Sequence, residues 1–460
     1  MDDDSNNHHH HQQQQQQQHI HSLSHAYQAY LSHDKEEQNH WEDVCRSYRQ
    51  YATFAMAQFS NQQYRLHALP LSQRNLLPDT LRPETQAFGQ RASAYKEAAI
   101  RNQFCLDCIL RHAGQPHSQD EIIIRHGNNA TNKHSSDAQM SKVSSVLKSL
   151  VRDWSAECQA ERDTTYRPLL EAVQKYLPLQ QPQHEQQQDD SPSPVRVCVP
   201  GAGVGRLACE LASLGYAVQG NEFSLYMLLA SDFILNGGVA SPAKPLHISP
   251  FLLESRNVYA ATDPMRKIAI PDVDPYSLLM DPTTGQTKPV DFSMAGGEFC
   301  SIYSSEREKS AWDCVVACFF LDTSACVVEY LQVMHHMLRP GGYLINFGPL
   351  LWHWSGPAMR PDDRCIEQYQ ERYSYLDRKY MQSVDLSWED VRKILLNVGF
   401  ELLEERSGQD ALYTADPRSL MQMNYRCIHF VARRKADSAV ETKPSSQPTA
   451  APTRGALSII

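Results

Sequence analysis

The stretch VRVCVPGAGVGRLACELASLGYAVQGNE, residues 195–222, decides the fold. Val195, Val197 and Val199 alternate with Arg196 and Cys198, the period-two pattern of a strand, which runs out into Pro200-Gly201-Ala202-Gly203. Leu207, Leu211 and Leu214 then recur at helical spacing as far as Gly215. A second short strand follows at 216–222. Glycines at such a strand-to-helix turn let a ligand approach the backbone, and the helix start offers free N–H groups. The spacing is G-x-G-x-G and not G-x-G-x-x-G, which counts against a nicotinamide-dependent oxidoreductase. Glu222 lies 21 residues beyond Gly201, at the end of the second strand, where a carboxylate can accept both hydroxyls of a ribose. Turn, acid and strand order together predict a nucleoside-type cofactor.

Downstream the same grammar continues. Residues 312–321, WDCVVACFFL, form an almost wholly apolar run and predict a strand buried on both faces. A helix over 325–338 leads to a turn at 339–342 and a strand at 343–347. A helix over 388–398, stopped by Gly399, precedes strands at 400–404 and 427–432. Strands alternating with helices predict a doubly wound α/β sheet. Ligands in such sheets sit at the carboxyl ends of the strands, which singles out Asp322 after the buried strand. The plain alternative is an Asp that caps the next helix. The next strand ends similarly in Gly348-Pro349-Leu350-Leu351-Trp352-His353-Trp354, so His353 stands between two tryptophans just past a strand end.

Upstream, residues 36–112 and 141–177 alternate apolar and polar residues at helical spacing and predict an N-terminal helical domain over 36–180. It carries a polar insertion at 113–139, and a linker at 181–194 joins it to the α/β domain at 195–435. Residues 1–35, with His8 to His11 and Gln12 to Gln18, and residues 436–460 read as disordered tails. Of 460 residues, 41% are hydrophobic and 21% charged, enough for a sizeable core. Lys and Arg number 43 against 53 Asp and Glu, a net charge of −10 that argues against an electrostatic nucleic-acid binder. No apolar run approaches the roughly 20 residues of a membrane helix, and the acidic N-terminus is the opposite of a signal peptide. The 12 cysteines fall mostly in apolar stretches, as reduced core cysteines do. A cytoplasmic protein is expected, with the nucleus also open. Cys105-x-x-Cys108 with His112 has half the spacing of a zinc site but lies in a helical segment with no second pair, and no metal is expected.

The glycine stretch, AGGEF at 295–299, CFFLDT at 318–323, LRPGGYLINFGPLLWHW at 338–354, DLSWEDVRKILLNVGF at 385–400 and VRDWSAECQAERD at 151–163 together resemble the carnosine N-methyltransferase family. The resemblance runs from about residue 40 to about 434. It implies a class I, Rossmann-like methyltransferase domain behind N-terminal helices. It also implies S-adenosylmethionine as methyl donor, a small histidine-containing dipeptide as acceptor, and a homodimer. Residue by residue, it implies that Arg152 grips the methionine carboxylate, that Gly201, Gly203 and Glu222 form the glycine turn and ribose acid, and that Glu298 and Phe299 lie beside the adenine. Cys318 would line the cofactor pocket. Asp322 and His353 would contact the imidazole and the dipeptide, with Asp322 as the catalytic residue, and Tyr413 and Tyr425 would close over the substrate. Two positions depart from the family pattern. Ser149 stands where the family has Gln, and Met423 where it has Tyr.

Any exposed histidine in a flexible peptide presents the same ring as carnosine, so a protein-histidine methyltransferase is the alternative acceptor reading. A cofactor-binding scaffold without turnover is the alternative from another class, and the retention of Glu222 and Asp322 argues against it.

Overall fold

The structure, a computed structural model, describes residues 35–115, 134–179, 193–237, 241–280 and 291–436 except 358, 361 and 363. All but residue 35 of the first predicted tail and residue 436 of the second, residues 116–133 of the predicted insertion and the linker as far as residue 192 lie outside the described residues.

Nine strands follow one another as β1 (Arg196–Pro200), β2 (Ala217–Glu222), β3 (Leu246–Ile248), β4 (Ile268–Ile270), β5 (Phe292–Gly296), β6 (Trp312–Cys318), β7 (Leu338–Gly348), β8 (Phe400–Ala411) and β9 (Tyr425–Arg434) among the described residues. Seven make one sheet in the order β5-β2-β1-β6-β7-β9-β8, while β3 and β4 form a separate ribbon. The first five strands of that order are parallel, and β9 runs antiparallel to both β7 and β8. The chain moves outward from β1 to β2 and β5, then crosses to β6 on the other side of β1. That reversal opens a crevice at the carboxyl ends of β1 and β6, where doubly wound sheets hold their ligands.

Sequence and structure part company at four strands of the large sheet, and the β3–β4 ribbon has no counterpart in the sequence reading. β6 ends at Cys318 and not at 321, because Phe319 turns into the left-handed region at φ +51° and takes the chain out of the sheet. The turn expected at 339–342 is absorbed into β7, whose pairing with β6 is bulged between Trp312 and Cys314. β8 extends to Ala411 although its second half is polar, since it is an edge strand paired only with β9. β5, with the sequence FSMAG, is only partly buried and has too weak an apolar pattern to be read from sequence.

The N-terminal region folds into helices α1 (Lys35–Arg49), α2 (Tyr51–His67), α3 (Gln86–His112) and α4 (Asp137–Trp154). Helix α4 starts inside the predicted insertion. Ser136 accepts from the Gln139 N–H at 3.2 Å while the Gln139 side chain accepts from the Ser136 N–H at 2.8 Å, a reciprocal cap that fixes the start. Between β1 and β2 lies α5 (Arg206–Ser213), and after β2 comes α6 (Leu225–Asn236). Leu106, Ile109, Leu150 and Trp154 of the N-terminal helices share one buried cluster with Tyr226 and Phe233 of α6 and with Ile248 and Ile270 of the ribbon. Fully burying one such side chain is worth about 1.5–3 kcal/mol, so this shared core holds the C-terminus of α4 firmly over the sheet. Across the other face lie α7 (Val327–Met337) and α8 (Trp388–Val398), the latter ended by Gly399 at φ +118°. Among the described residues no helix is long and apolar enough to cross a membrane.

Candidate active site

The turn after β1 is built by glycines at positive φ: Gly201 at +64°, Gly203 at +57° and Gly205 at +84°. A Cβ on Gly201 would stand 2.7 Å from the Phe320 ring, so the turn from β1 and the segment after β6 already touch, and only glycine fits between them. Glu222 closes the turn from the side. Its Oε2 accepts from the Gly203 N–H at 2.9 Å and its Oε1 from the Ser224 N–H at 2.7 Å. Burial pushes its carboxyl above the usual value, against the pull of those backbone donors and of Arg152. A carboxylate offers about four lone-pair sites, more than these backbone N–H groups fill.

Helix α4 delivers its last turn to the same place. Trp154 donates from Nε1 to the carbonyl of Val204 at 3.0 Å, and Arg206 donates from Nη1 to the carbonyl of Asp153 at 3.1 Å. Arg152 lies between the glycine turn and Tyr413, with Nη2 3.9 Å from the place a Cβ on Gly203 would take. Its Nε donates to Asp153 Oδ1 at 2.7 Å, and its guanidinium carbon stands 4.4 Å from the centre of the Tyr413 ring. Ser149, one turn earlier on α4, is buried.

Beyond β6, Asp322 sits in a short 3-10 turn, Leu321–Thr323, and its side chain is buried. Oδ2 accepts from the Leu351 N–H at 2.9 Å, whereas Oδ1 has no partner. Burial raises this carboxyl above the usual Asp value, partly offset by the Leu351 N–H and by His353. The His353 backbone N–H donates to the Asp322 carbonyl at 3.0 Å, and the His353 side chain is exposed. The segments after β6 and β7 are thus tied together through both the side chain and the main chain of Asp322.

Tyr413 and Tyr425 meet around a residue the sequence reading did not single out. Phe319 stacks on Tyr413 with ring centres 4.6 Å apart and meets Tyr425 edge-on at 5.8 Å. The left-handed backbone of Phe319 is uncommon for a bulky residue and costs about 1–2 kcal/mol. It is held by the Phe319 N–H, which donates to the Phe347 carbonyl at 2.8 Å, and by Gly348, where a Cβ would approach the Phe319 backbone to 3.1 Å. No sequence signal marks a positive φ at a phenylalanine; the doublet Phe319-Phe320 reads as strand. The loop carrying Tyr413 is pinned by buried Glu161, which accepts from the Thr414 N–H at 2.7 Å.

The remaining site candidates fall as follows. Cys318 closes β6 beside this cluster, its thiol pushed up to about 12 mainly by burial. Phe299 is buried against Phe320, Tyr303 and Tyr330 at 5.2–5.3 Å. Glu298 caps the short helix Phe299–Tyr303, accepting from the Ser301 N–H at 2.7 Å. Met423 is 56% exposed at the rim. Far from the crevice, Cys105 is buried in the helical core and His112 pairs with Asp232 at 3.1 Å. No group of metal-ligating side chains occurs among the described residues.

A family model described as carnosine N-methyltransferase matches residues 129–436. The mouse carnosine N-methyltransferase is 33% identical over 406 residues, covering 87% of either chain. Its fission-yeast counterpart (Schizosaccharomyces pombe) is 30% identical over 409 residues, 88% of this chain and 98% of that one. Drosophila melanogaster carnosine N-methyltransferase unmet is 27% identical over 424 residues, 88% and 82% of the two chains. Among solved structures, a phosphoethanolamine N-methyltransferase of Haemonchus contortus with S-adenosyl-L-methionine is 11% identical, covering 63% of this chain and 60% of that one at a TM-score of 0.31.

Proposed function

The chain belongs to the carnosine N-methyltransferase family, and from that premise we propose which of its residues perform the reaction. The enzyme transfers a methyl group from S-adenosylmethionine to an imidazole nitrogen of carnosine, β-alanyl-histidine, and releases S-adenosylhomocysteine.

The crevice fits the donor. Gly201 and Gly203 leave backbone open where side chains would block it, Glu222 retains acceptor capacity for two ribose hydroxyls, and Arg152 offers a guanidinium for the methionine carboxylate. Phe299 and Glu298 border the side where the adenine would lie, and Cys318 lines the pocket near Arg152. When bound, S-adenosylmethionine supplies an electrophilic sulfonium methyl that requires no metal or strong base.

The observation that carries the proposal is the free Oδ1 of buried Asp322. A neutral imidazole has one N–H donor and one nitrogen with a lone pair. Asp322 Oδ1 accepts that N–H, which fixes the tautomer and leaves the lone pair on the other nitrogen. As the ring gains positive charge, the ionised carboxylate stabilises it in surroundings that contain little water. Leu351 holds the second oxygen, so the carboxylate cannot swing away. Phe319, Tyr413 and Tyr425 supply flat walls that orient the ring, and flat aromatic faces also favour the developing cation. His353, exposed beside Asp322, would meet the peptide portion of the dipeptide.

Labelled methyl transfer to carnosine by the Asp322→Asn variant tests the central role. Turnover is expected to fall roughly 100-fold or more, with S-adenosylhomocysteine affinity unchanged. Wild-type turnover in that variant would remove Asp322 from the reaction.

A further inference from the structure

Asp153 and Tyr166 hold Arg152 along its Nε–Nη2 edge, and Tyr413 packs against the face of the guanidinium. Its Nε donates to Asp153 Oδ1 at 2.7 Å, its Nη2 donates to the Tyr166 hydroxyl at 3.3 Å, and that hydroxyl donates to the same Oδ1 at 2.8 Å. The three side chains therefore close a triangle on the inner edge of the guanidinium. A planar guanidinium has a second donor edge, Nη1 with Nη2. No carboxylate other than Asp153 lies within ion-pair distance of Arg152 among the described residues, and Nη2 stands beside the glycine turn.

Asp153 is an expensive choice for a position with no solvent exposure. Its Oδ2 is buried without a partner, and a buried carboxylate that lacks a hydrogen bond on one oxygen opposes folding. Packing alone would be served better by an apolar residue of similar volume. The charge finds its use in Arg152, its one cationic partner among the described residues, and Tyr166 locks both partners by donating to one and accepting from the other.

We propose that Asp153, with Tyr166, is a positioning residue for the methyl donor. The pair fixes the inner edge of Arg152 so that the outer edge is presented, already oriented, to the carboxylate of the donor's methionine portion. Two parallel N–H bonds to a carboxylate need the guanidinium plane set in advance, because a freely rotating arginine loses side-chain freedom on binding. The proposal rests on the reading of Arg152 as the carboxylate grip.

Calorimetric titration of the full chain separates the two. The ligands are S-adenosylhomocysteine and its decarboxylated counterpart, which lacks only the carboxylate. Wild type is expected to prefer S-adenosylhomocysteine. Asp153→Asn is expected to lower that affinity roughly tenfold while changing the decarboxylated ligand less than about twofold. Tyr166→Phe keeps the buried ring and the Asp153 charge, so it serves where Asp153→Asn does not fold, and the same selective loss is expected. Equal loss for both ligands, or no loss for either, overturns the positioning role. If wild type fails to distinguish the two ligands and Arg152→Gln changes neither affinity, the reading of Arg152 itself falls, and the proposal with it.

Discussion

The guanidinium carbon of Arg152 lies 4.4 Å from the centre of the Tyr413 ring. One residue ends an N-terminal helix and is placed against the glycine turn; the other belongs to the loop after β8, where its ring stacks on Phe319 at 4.6 Å. Glu161, also from the N-terminal region, holds the same loop through the N–H groups of Thr414 and Ala415. The glycine-turn side and the Phe319 side of the crevice are therefore joined through one aromatic ring.

Replacing Tyr413 by Leu should then disturb both sides. A partly desolvated cation–π contact is worth about 0.5–2 kcal/mol, which corresponds to a rise in the Kd for S-adenosylhomocysteine of roughly 2- to 30-fold. The KM for carnosine should rise as well. An unchanged Kd, measured by calorimetry, would mean that Tyr413 serves the acceptor alone.

Phe319 allows the backbone and the ring to be separated. Phe319→Ala and Phe319→Gly both remove the ring, and both should lower kcat/KM for carnosine by about tenfold or more while leaving S-adenosylhomocysteine affinity within about twofold. Only glycine relaxes the φ of +51°, so the Gly variant should be more stable to urea than the Ala variant by about 1 kcal/mol. Equal stabilities would show that the segment relaxes out of the left-handed region once the ring is gone.

What could be read from the sequence was what local periodicity encodes. The strand and glycine turn at 195–205, the start of β6 and the helix ending at Gly399 all appear where their patterns put them. β5 was missed because FSMAG offers no sustained alternation, and the far half of β8 because an edge strand held by one neighbour tolerates charged residues. Asp322 could be singled out because its position follows from strand order. The roles of Tyr413 and Tyr425 were implied only by family resemblance, since aromatic residues after an edge strand read as ordinary packing. Phe319 and Asp153 were not legible at all. A positive φ and an unpartnered buried oxygen are products of tertiary contacts, between the ends of two neighbouring strands in one case and among three converging side chains in the other.

Asp322 makes a prediction about pH. Its carboxyl is raised above the usual value, chiefly by burial, so on acidification it takes up a proton earlier than an ordinary Asp would. The ring of the acceptor protonates near 6.5, and both protonations abolish productive binding. The acid limb of log kcat/KM, which reports the free enzyme and free substrate, should therefore approach a slope of two at low pH and fall to one in Asp322→Asn. Stability should follow the same ionisation. Because the folded carboxyl binds its proton more tightly than the unfolded one, its favourable contribution is complete below about 3.9 and is lost as pH rises through the folded value. Asp322→Asn should thus gain stability relative to wild type across that interval. A slope of one in both proteins would place the ionisation of Asp322 outside the reaction.

Asp272 ties the N-terminal region to the glycine turn. Its Oδ2 accepts from Arg162 Nη2 at 2.6 Å and its Oδ1 from Arg206 Nη1 at 2.8 Å, while its backbone N–H donates to the Trp154 carbonyl at 2.9 Å. Arg162 in turn donates to the carbonyls of Arg152 and Ser155, both at 2.7 Å, so one carboxylate supports the end of α4 and the start of α5 together. The side chains of Asp272, Arg162 and Arg206 are 13%, 6% and 9% exposed, close to the condition in which removing one partner of a buried pair costs about 3–5 kcal/mol. Arg206 keeps Glu210 at 2.6 Å, which places the expected loss for Asp272→Ala nearer about 2–3 kcal/mol in urea unfolding. The Kd for S-adenosylhomocysteine should rise as well, because Arg152 and the Val204 carbonyl bound by Trp154 are both held through this network. Saturating S-adenosylhomocysteine should then restore less stability to the variant than to wild type at the same ligand concentration. Lost stability with an unchanged Kd would show that Asp272 secures the helices to the sheet without shaping the donor site.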